Sequence, residues 1–245
     1  MALKNDMIIS GNWLFRWRSY LPLIMGLVVV AGLFHFQYFL GRHDLDLVWD
    51  LFSILISFSG LVVRILTIGF VPMGTSGRNT HQQEATVLNT TGMYSIVRHP
   101  LYLGNFIIWL GISIFLHEWW ISCIFVLVFW LYYERIILAE EEFLQEKFGD
   151  DFTRWADRTP AFIPKFQNWQ KPSLPFSWKY VLKKEYCGFY AIILIFTMLE
   201  IFGEYIIVHK FRFELSWIIF FSTGTAIYLL IRFLKKKTNV LSFSR

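Results

Sequence analysis

The sequence predicts an all-α, polytopic integral membrane protein. Of its 245 residues, 56% are hydrophobic and only 17% are charged, and the hydrophobic residues gather into long runs. A soluble domain carries about 25% charged residues, whereas a membrane-spanning helix needs about 20 mostly apolar residues in succession. The net charge of +5 requires no nucleic acid as a partner, because the basic excess flanks the apolar runs, where anionic lipid headgroups lie.

Six apolar runs are interpreted as transmembrane helices. The third is short and is separated from the fourth only by His117 and Glu118, so the two are expected to form an antiparallel hairpin. A short helix over residues 175–186, rich in lysine and aromatic residues, is expected to lie along the membrane surface. The predicted spans are residues 20–40, 47–72, 101–116, 119–138, 188–208 and 215–234.

Basic residues predict the orientation of these spans. Of the 23 Lys and Arg residues, 18 lie in the N-terminal tail, in the loops 73–100 and 139–187, or at the C-terminal end. Only three lie in the opposite loops. Because cytoplasmic loops carry the excess of Lys and Arg, both termini and both long loops are expected in the cytoplasm. The opposite loops are too small to build a site, so the chemistry is expected at the cytoplasmic face.

The stretch TGMYSIVRHPLYLGNF, residues 91–106, is the first candidate for a functional site. Gly92 permits a tight turn, and Pro100 is suited to the first turn of the third spanning helix. Arg98 and His99 then lie at the positive end of that helix, where an anion binds favourably. Alternatively, Arg98 only reaches lipid headgroups. The same turns carry further hydrogen-bonding groups and a glycine that allows close approach: Tyr94, Tyr102, Gly104 and Asn105.

The stretch YYERIILAEEEFLQEKFG, residues 132–149, is the second candidate. The fourth helix is expected to continue beyond the membrane to about Lys147. Three consecutive carboxylates, at residues 140–142, cannot share one helix face, so one or two must point inward. The alternative is an ordinary solvated acidic helix. Glu134 lies one turn inside the apolar boundary, and we expect it to pair with Arg98 or Arg64.

The sequence TPAFIP, residues 159–164, brackets three apolar residues between two prolines. Residues before proline favour extended backbone, so this segment is expected to form a stiff flap. Such a flap suits a flat ring such as adenine, and it suits docking on a membrane equally well. Cys123 and Cys187 are too few for a disulfide framework or a zinc site, and no metal cluster is evident.

Together these motifs resemble one family. The pattern G-x-Y-x-x-x-R-H-P-x-Y-x-G matches residues 92–104, E-E-x-x-L-x-x-x-F-G matches residues 140–149, and Ile-Pro follows at 163–164. This resembles the isoprenylcysteine carboxyl methyltransferase superfamily, which includes phospholipid N-methyltransferases, and it covers about residues 75–165. Phospholipid methyltransferases usually carry G-x-G before the tyrosine, where this chain has Thr90-Thr91-Gly92, which counts against transfer to an amine.

The resemblance implies S-adenosylmethionine as cofactor and assigns roles to individual residues. Arg98 and Glu134 are the predicted catalytic residues; Arg98 would face the methyl acceptor, across the pocket from Glu141. A glutamate would bind the methionine ammonium group, and residues 162–164 would cover the adenine. The predicted cofactor-binding residues are Tyr94, His99, Tyr102, Gly104, Glu140, Glu141, Phe162, Ile163 and Pro164.

The predicted function is methyl transfer to a phosphate or carboxylate oxygen of a lipid or lipidated substrate. The two C-terminal spans, together with the stretches 77–106 and 132–149, look closest to a bacterial branch that methylates a lipid A phosphate in the inner membrane. Four basic side chains would suit the phosphorylated headgroup: Arg78, His81, Arg98 and His99. Alternatives are an NADPH-dependent membrane reductase and a non-catalytic lipid-binding or transport protein that uses Asp50, Arg64 and Glu134. Neither metal nor nucleic acid is expected as a partner. The segments expected are 1–72 (membrane helices), 73–165 (catalytic core) and 166–245 (interfacial segment and two helices).

Overall fold

The computed structural model describes residues 2–18, 20–72 and 85–241, and within these ranges it confirms an all-α fold without strands. The predicted positions of Arg78 and His81 lie outside the described residues. Two 3₁₀ turns, Phe39–Gly41 and Phe166–Asn168, join longer elements. The α-helices of the described ranges are α1 (Ala2–Trp17), α2 (Leu21–Leu33), α3 (His43–Gly69), α4 (Met93–Ile96), α5 (Pro100–Phe115), α6 (Trp119–Phe148), α7 (Asp150–Ala156), α8 (Trp178–Val208) and α9 (Leu215–Lys237).

Four of these helices are long and apolar enough to cross a membrane, namely α3 over Leu45–Gly69, α6, α8 and α9. The apolar stretches of α2 and α5 are shorter, so the count of six spans stays a prediction. Large apolar side chains cover the outside of the bundle; Leu27, Leu55 and Leu127 are each more than 60% exposed. Soluble monomers rarely expose such continuous apolar surface. The chain is an integral membrane protein.

Helix α1 was not predicted, because its residues are too mixed in polarity to be recognised as a span. It packs along α6, and its Phe15 side chain is buried. A side chain at Gly11 would collide with the backbone carbonyl of Arg135, so the two helix backbones touch there. Trp13 and Trp17 stay largely exposed, as expected for aromatic residues at a membrane interface.

The prediction of a separate surface helix over residues 175–186 is wrong. Helix α8 runs without a break from Trp178 to Val208, and the Ser177 hydroxyl caps it by accepting a hydrogen bond from the Tyr180 amide at 3.3 Å. Tyr180 and Val181 are buried against the end of α3. The first turns of α8 therefore pack on protein, and the lysines that indicated a surface helix occupy the remaining faces.

Small residues allow α3 and α5 to cross closely. A Cβ atom added to Gly60 would lie 2.6 Å from the carbonyl oxygen of Gly104, so neither position has room for a side chain. The Ser57 hydroxyl donates a hydrogen bond to the Ile108 carbonyl across the same contact, at 2.7 Å. Close backbone approach through Gly and Ser is typical of helix pairs in membranes. This crossing fixes where α5 begins relative to α3.

Gly60→Ala tests that crossing, with Gly26→Ala as the matched control. The added methyl group at residue 60 must push α3 and α5 apart, whereas a Cβ at residue 26 meets no atom within 4 Å. We expect Gly60→Ala to lower the free energy of unfolding by about 1–3 kcal/mol and Gly26→Ala to change it by less than about 1 kcal/mol. Thermal unfolding in detergent measures both, and equal effects would contradict the packing described.

Candidate functional site

The hairpin of α5 and α6 brings the two sequence motifs together. Gly92, at φ +62°, precedes α4, and Pro100 starts α5 with His99 as the residue before it, as predicted. Helix α6 continues to Phe148, which confirms its predicted extension, and Gly149 ends it at φ +55°. Because α5 and α6 are antiparallel neighbours, the start of α5 faces the end of α6.

The centre of this cluster is the Glu141 carboxylate. Its Oε1 accepts hydrogen bonds from Arg98 Nε at 2.7 Å and lies 2.9 Å from His99 Nε2. Its Oε2 accepts a longer bond from Arg98 Nη2, at 3.2 Å. Bidentate contact between guanidinium and carboxylate is among the stronger side-chain pairings. The expectation that Arg98 and Glu141 face each other across a pocket is therefore wrong, since they are in direct contact.

Glu140 is the second carboxylate that points inward. The Tyr102 hydroxyl donates to its Oε1 at 2.6 Å, Arg18 Nη1 lies 3.5 Å from the same oxygen, and His99 Nδ1 lies 3.6 Å from its Oε2. Glu142 instead pairs with Lys4 of α1 at 2.7 Å on the exposed side. The prediction that one or two of the three glutamates point inward is thus confirmed, with two doing so.

Arg98 also holds the neighbouring segment in place. Its Nη1 donates to the carbonyl oxygens of Ala156 and Thr159, at 2.8 and 2.7 Å. Ala156 is the last residue of α7 and Thr159 lies three residues beyond it, where backbone carbonyls lack further helical partners. The guanidinium therefore binds Glu141 with one edge and the end of α7 with the other.

The segment 159–165 is irregular and bends at residues 159 and 161–163, so the expectation of a stiff extended flap is wrong. It runs beside the residues that precede α5. The Arg98 amide donates to the Pro160 carbonyl at 2.9 Å, and the Lys165 amide donates to the Ile96 carbonyl at 2.9 Å. Phe162 packs edge-on against Phe106 of α5, 5.5 Å between ring centroids. Ile163 is 77% exposed and Pro164 is partly buried. Their predicted contact with adenine stays a prediction.

The packing around Tyr94 and Gly104 explains in part why these residues occupy their positions. The Tyr94 ring packs against the buried cluster of Ile68 and Tyr180. Gly104 faces α3, where a Cβ atom would lie 2.5 Å from the Arg64 side chain. The glycine is therefore needed for helix packing, and its predicted contact with the cofactor, like that of Tyr94, stays a prediction.

Glu134 does not pair with Arg98 or Arg64, so that expectation is wrong. It is exposed on α6, while both expected partners bind other carboxylates. Arg64 donates to both oxygens of Glu185 at 2.7 Å and to Asn105 at 2.7 Å. The catalytic role predicted for Glu134 gains no support from these contacts.

Sequence reasoning missed Arg18 and Glu185. Arg18 reaches Glu140 because α1 packs along α6, a tertiary contact that no local pattern reveals. Glu185 did leave a signal, because it lies four residues after the buried Val181 and so shares the apolar face of α8. A charge on a buried helix face needs a partner, and Arg64 provides it.

A second polar cluster lies at the opposite end of the bundle, where no site was expected. Asp46 and Asp50 of α3 and His117 of the α5–α6 turn bring their ligand atoms within 4.8 Å of one another. The small loops misled the sequence reasoning, because the cluster is built from helix residues rather than from loops. The expectation that the chain holds no metal has no support here.

The fold and the charged cluster define a polytopic membrane protein with a partly exposed site at one end of a helical hairpin. The family model for phospholipid methyltransferases matches residues 52–151. The chain is 35% identical over 116 residues to the nickel-cobalt-cadmium resistance protein NccN of Alcaligenes xylosoxydans, covering 44% of this chain and 54% of the relative. No solved structure matches it.

Two further relatives extend this comparison. The protein-S-isoprenylcysteine O-methyltransferase of Schizosaccharomyces pombe is 31% identical, over 46% of this chain and 54% of the relative. The cobalt-zinc-cadmium resistance protein CzcN of Cupriavidus metallidurans is 31% identical, over 63% of this chain and 67% of the relative. The chain thus spans about half to two thirds of these relatives. It belongs to the superfamily of isoprenylcysteine carboxyl methyltransferases and phospholipid methyltransferases.

The charge of His99 predicts that the stability of the folded protein depends on pH. Burial lowers the pKa of His99, but hydrogen bonds and charge attraction from Glu140 and Glu141 outweigh it and raise the pKa above the ordinary 6.5. The stabilisation from the charged imidazole is therefore complete below about pH 6.5 and is lost as the pH rises through the raised pKa.

We expect wild type to be more stable than His99→Gln near pH 6, and this difference to shrink towards pH 9. Thermal unfolding of both proteins in detergent across that range measures it. The two proteins share all other titrating groups, so the contributions of those groups cancel in the stability difference. A stability difference that does not change with pH would contradict a charged His99.

Proposed function

We propose that the protein is an S-adenosylmethionine-dependent O-methyltransferase that acts on an anionic oxygen of a lipid or lipidated substrate. The observation that carries this proposal is the meeting of both motifs at Glu141, which binds Arg98 and His99 together. The matched family and the isoprenylcysteine O-methyltransferase among the relatives support a methyltransferase.

The charges of the cluster fit the amino-acid end of S-adenosylmethionine. That end carries one ammonium and one carboxylate group, and the cluster offers two carboxylates, Glu140 and Glu141, beside Arg18, Arg98 and His99. The Glu140, Glu141 and Arg98 side chains are each about one fifth exposed, so a ligand can reach them. We assign the ammonium group to the glutamates and the carboxylate to Arg98 and His99.

An aromatic wall adjoins these charges. Tyr102 stacks on His99, with 5.7 Å between centroids, and lies 4.6 Å from the Tyr133 ring. Phe162 of the flap packs on the same cluster of aromatic side chains. Aromatic faces attract cations, so this wall suits both a sulfonium group and an adenine ring.

Bound in this site, S-adenosylmethionine would supply an electrophilic methyl group on its sulfonium sulfur. The residues of the chain would then orient the reactants and exclude water, which is what an in-line displacement requires. An acceptor that is already ionised needs no general base. Arg98 would act by positioning Glu141 and the end of α7, and by supplying positive charge beside the acceptor.

The surroundings of the hairpin favour a lipid acceptor. Leu127, Trp130 and Leu131 of α6 are each more than half exposed, and Trp130 contacts the flap residue Phe162, 5.9 Å between centroids. A lipid chain in the bilayer could therefore lie beside the flap. We assign the charged end to the cytoplasmic side on the distribution of Lys and Arg, and take a lipid A phosphate as the candidate phosphate acceptor.

Calorimetry in detergent tests cofactor binding, with Glu142→Gln as the matched control for Glu141→Gln. Glu142 is adjacent, but it pairs with Lys4 on the exposed side. Losing a charged hydrogen-bonding partner costs about 1.5–3 kcal/mol, so Glu141→Gln should bind S-adenosylmethionine about 10- to 100-fold more weakly. Glu142→Gln should bind it like wild type.

Folded wild type that binds NADPH and not S-adenosylmethionine would favour the reductase alternative and contradict the proposal. Equal affinities of wild type and Glu141→Gln would also contradict the assignment of the cluster as the cofactor site.

A further inference from the structure

Buried acidic residues gather at the end of the bundle away from Arg98. Asp46 and Asp50 of α3 are 5% and 3% exposed, and Glu200 and Glu204 of α8 are 7% and 2% exposed. The 16 residues of α5 separate the two ends by about 24 Å at 1.5 Å per residue. Burying several carboxylates in an apolar surrounding is costly unless something neutralises them.

Several buried polar atoms at this end of the bundle lack hydrogen bonds. They include Asp50 Oδ1, Glu200 Oε2 and the Nε2 atom of His117. His117 Nε2 also lies 3.4 Å from Asp46 Oδ1, and ligand atoms of Asp46, Asp50 and His117 lie within 4.8 Å of one another. Asp50 and His117 therefore belong to one buried cluster in which each has a polar atom without a hydrogen bond, and a shared cation would satisfy both atoms.

The His117 ring is held in the orientation that a metal ligand needs. Its Nδ1 lies 2.6 Å from the Gln37 carbonyl oxygen. A carbonyl oxygen only accepts, so Nδ1 carries the hydrogen, and in the neutral ring Nε2 presents a lone pair to the aspartates. Metal-binding histidines usually donate their second N–H to such a carbonyl. The ring also stacks on Phe36 and Phe115, with centroids 5.4 and 6.4 Å apart, which fixes its plane.

We propose that Asp46, Asp50 and His117 bind one divalent transition-metal ion. A set of one imidazole nitrogen and carboxylate oxygens suits zinc, cobalt, nickel or manganese better than calcium or magnesium, which prefer oxygen ligands alone. The ion would link the start of α3 to the α5–α6 turn. This site is separate from the proposed methyl-transfer site and does not depend on it.

Neighbouring groups favour the approach of a cation. Glu200 is close enough to Asp50 to interact with it electrostatically. Glu200 also lines a cavity of about 230 Å³ between α8 and the start of α9, together with Glu214 and Trp217. Arg212 also lines this cavity and the rest of its wall is largely apolar, so the carboxylates of Asp50 and Glu200, rather than the cavity, attract the cation.

Equilibrium dialysis of the untagged full chain in detergent against Zn²⁺ tests the proposal. Wild type should bind one equivalent, and both Asp50→Asn and His117→Gln should bind it at least about tenfold more weakly. His209→Gln is the matched control, because His209 also has positive φ in a turn at the same end but is exposed. It should bind zinc like wild type.

The proposal is overturned if folded wild type binds no Zn²⁺, Co²⁺, Ni²⁺ or Mn²⁺, or if the two site variants bind zinc as well as His209→Gln does. It is also overturned if infrared spectra show that protonated carboxyl groups persist when zinc is present, since protons then neutralise the cluster. Should neither variant fold, the X-ray absorption spectrum of zinc bound to wild type decides. One imidazole and no sulfur are expected, and any other ligand set rejects the site.

Discussion

The contact of Glu141 with Arg98 and His99 is the constraint on which the architecture at the open end of the α5–α6 hairpin depends. It joins the extension of α6 to the residues that start α5, and through Arg98 it reaches the last carbonyls of α7. The backbone amide of Arg98 also donates a hydrogen bond to the Pro160 carbonyl of the flap. One carboxylate therefore positions three segments that are distant in sequence, and each of them contributes to the proposed pocket.

Helix packing supplies the rigidity that this contact requires. Gly60 and Gly104 let α3 approach α5 closely, and Arg64 of α3 then binds Glu185 of α8 beneath the same site. Charged pairs inside a membrane protein are costly unless both partners are satisfied. Here the pairing is bidentate, so the helices that carry it are held in one register. At the opposite end, Asp50 Oδ1 and His117 Nε2 are buried without a hydrogen bond, and this contrast is what points to a bound cation there.

Sequence patterns predicted the parts that depend on local chemistry. Pro100 and the short connection through His117 and Glu118 placed the hairpin, and the helical period predicted that one or two of three glutamates point inward, as Glu140 and Glu141 do. The patterns failed where the surroundings of a residue depend on contacts between segments distant in sequence. Arg18 reaches Glu140 only because α1 packs on α6, and the paired state of Arg98 depends on the docking of α7. Asp46 and His117, 71 positions apart in the numbering, meet only because α3 and α5 are antiparallel.

The central claim is that the cluster around Glu141 moves a methyl group from S-adenosylmethionine to a lipid oxygen. The most direct measurement incubates membranes containing wild type, Glu141→Gln or Glu142→Gln with S-adenosylmethionine that carries a deuterated methyl group, followed by mass spectrometry of the lipids and lipidated proteins. The account predicts a product with one deuterated methyl group on an oxygen in wild type and Glu142→Gln, and little or none in Glu141→Gln. No labelled product with folded wild type, or equal labelling by Glu141→Gln, would contradict it.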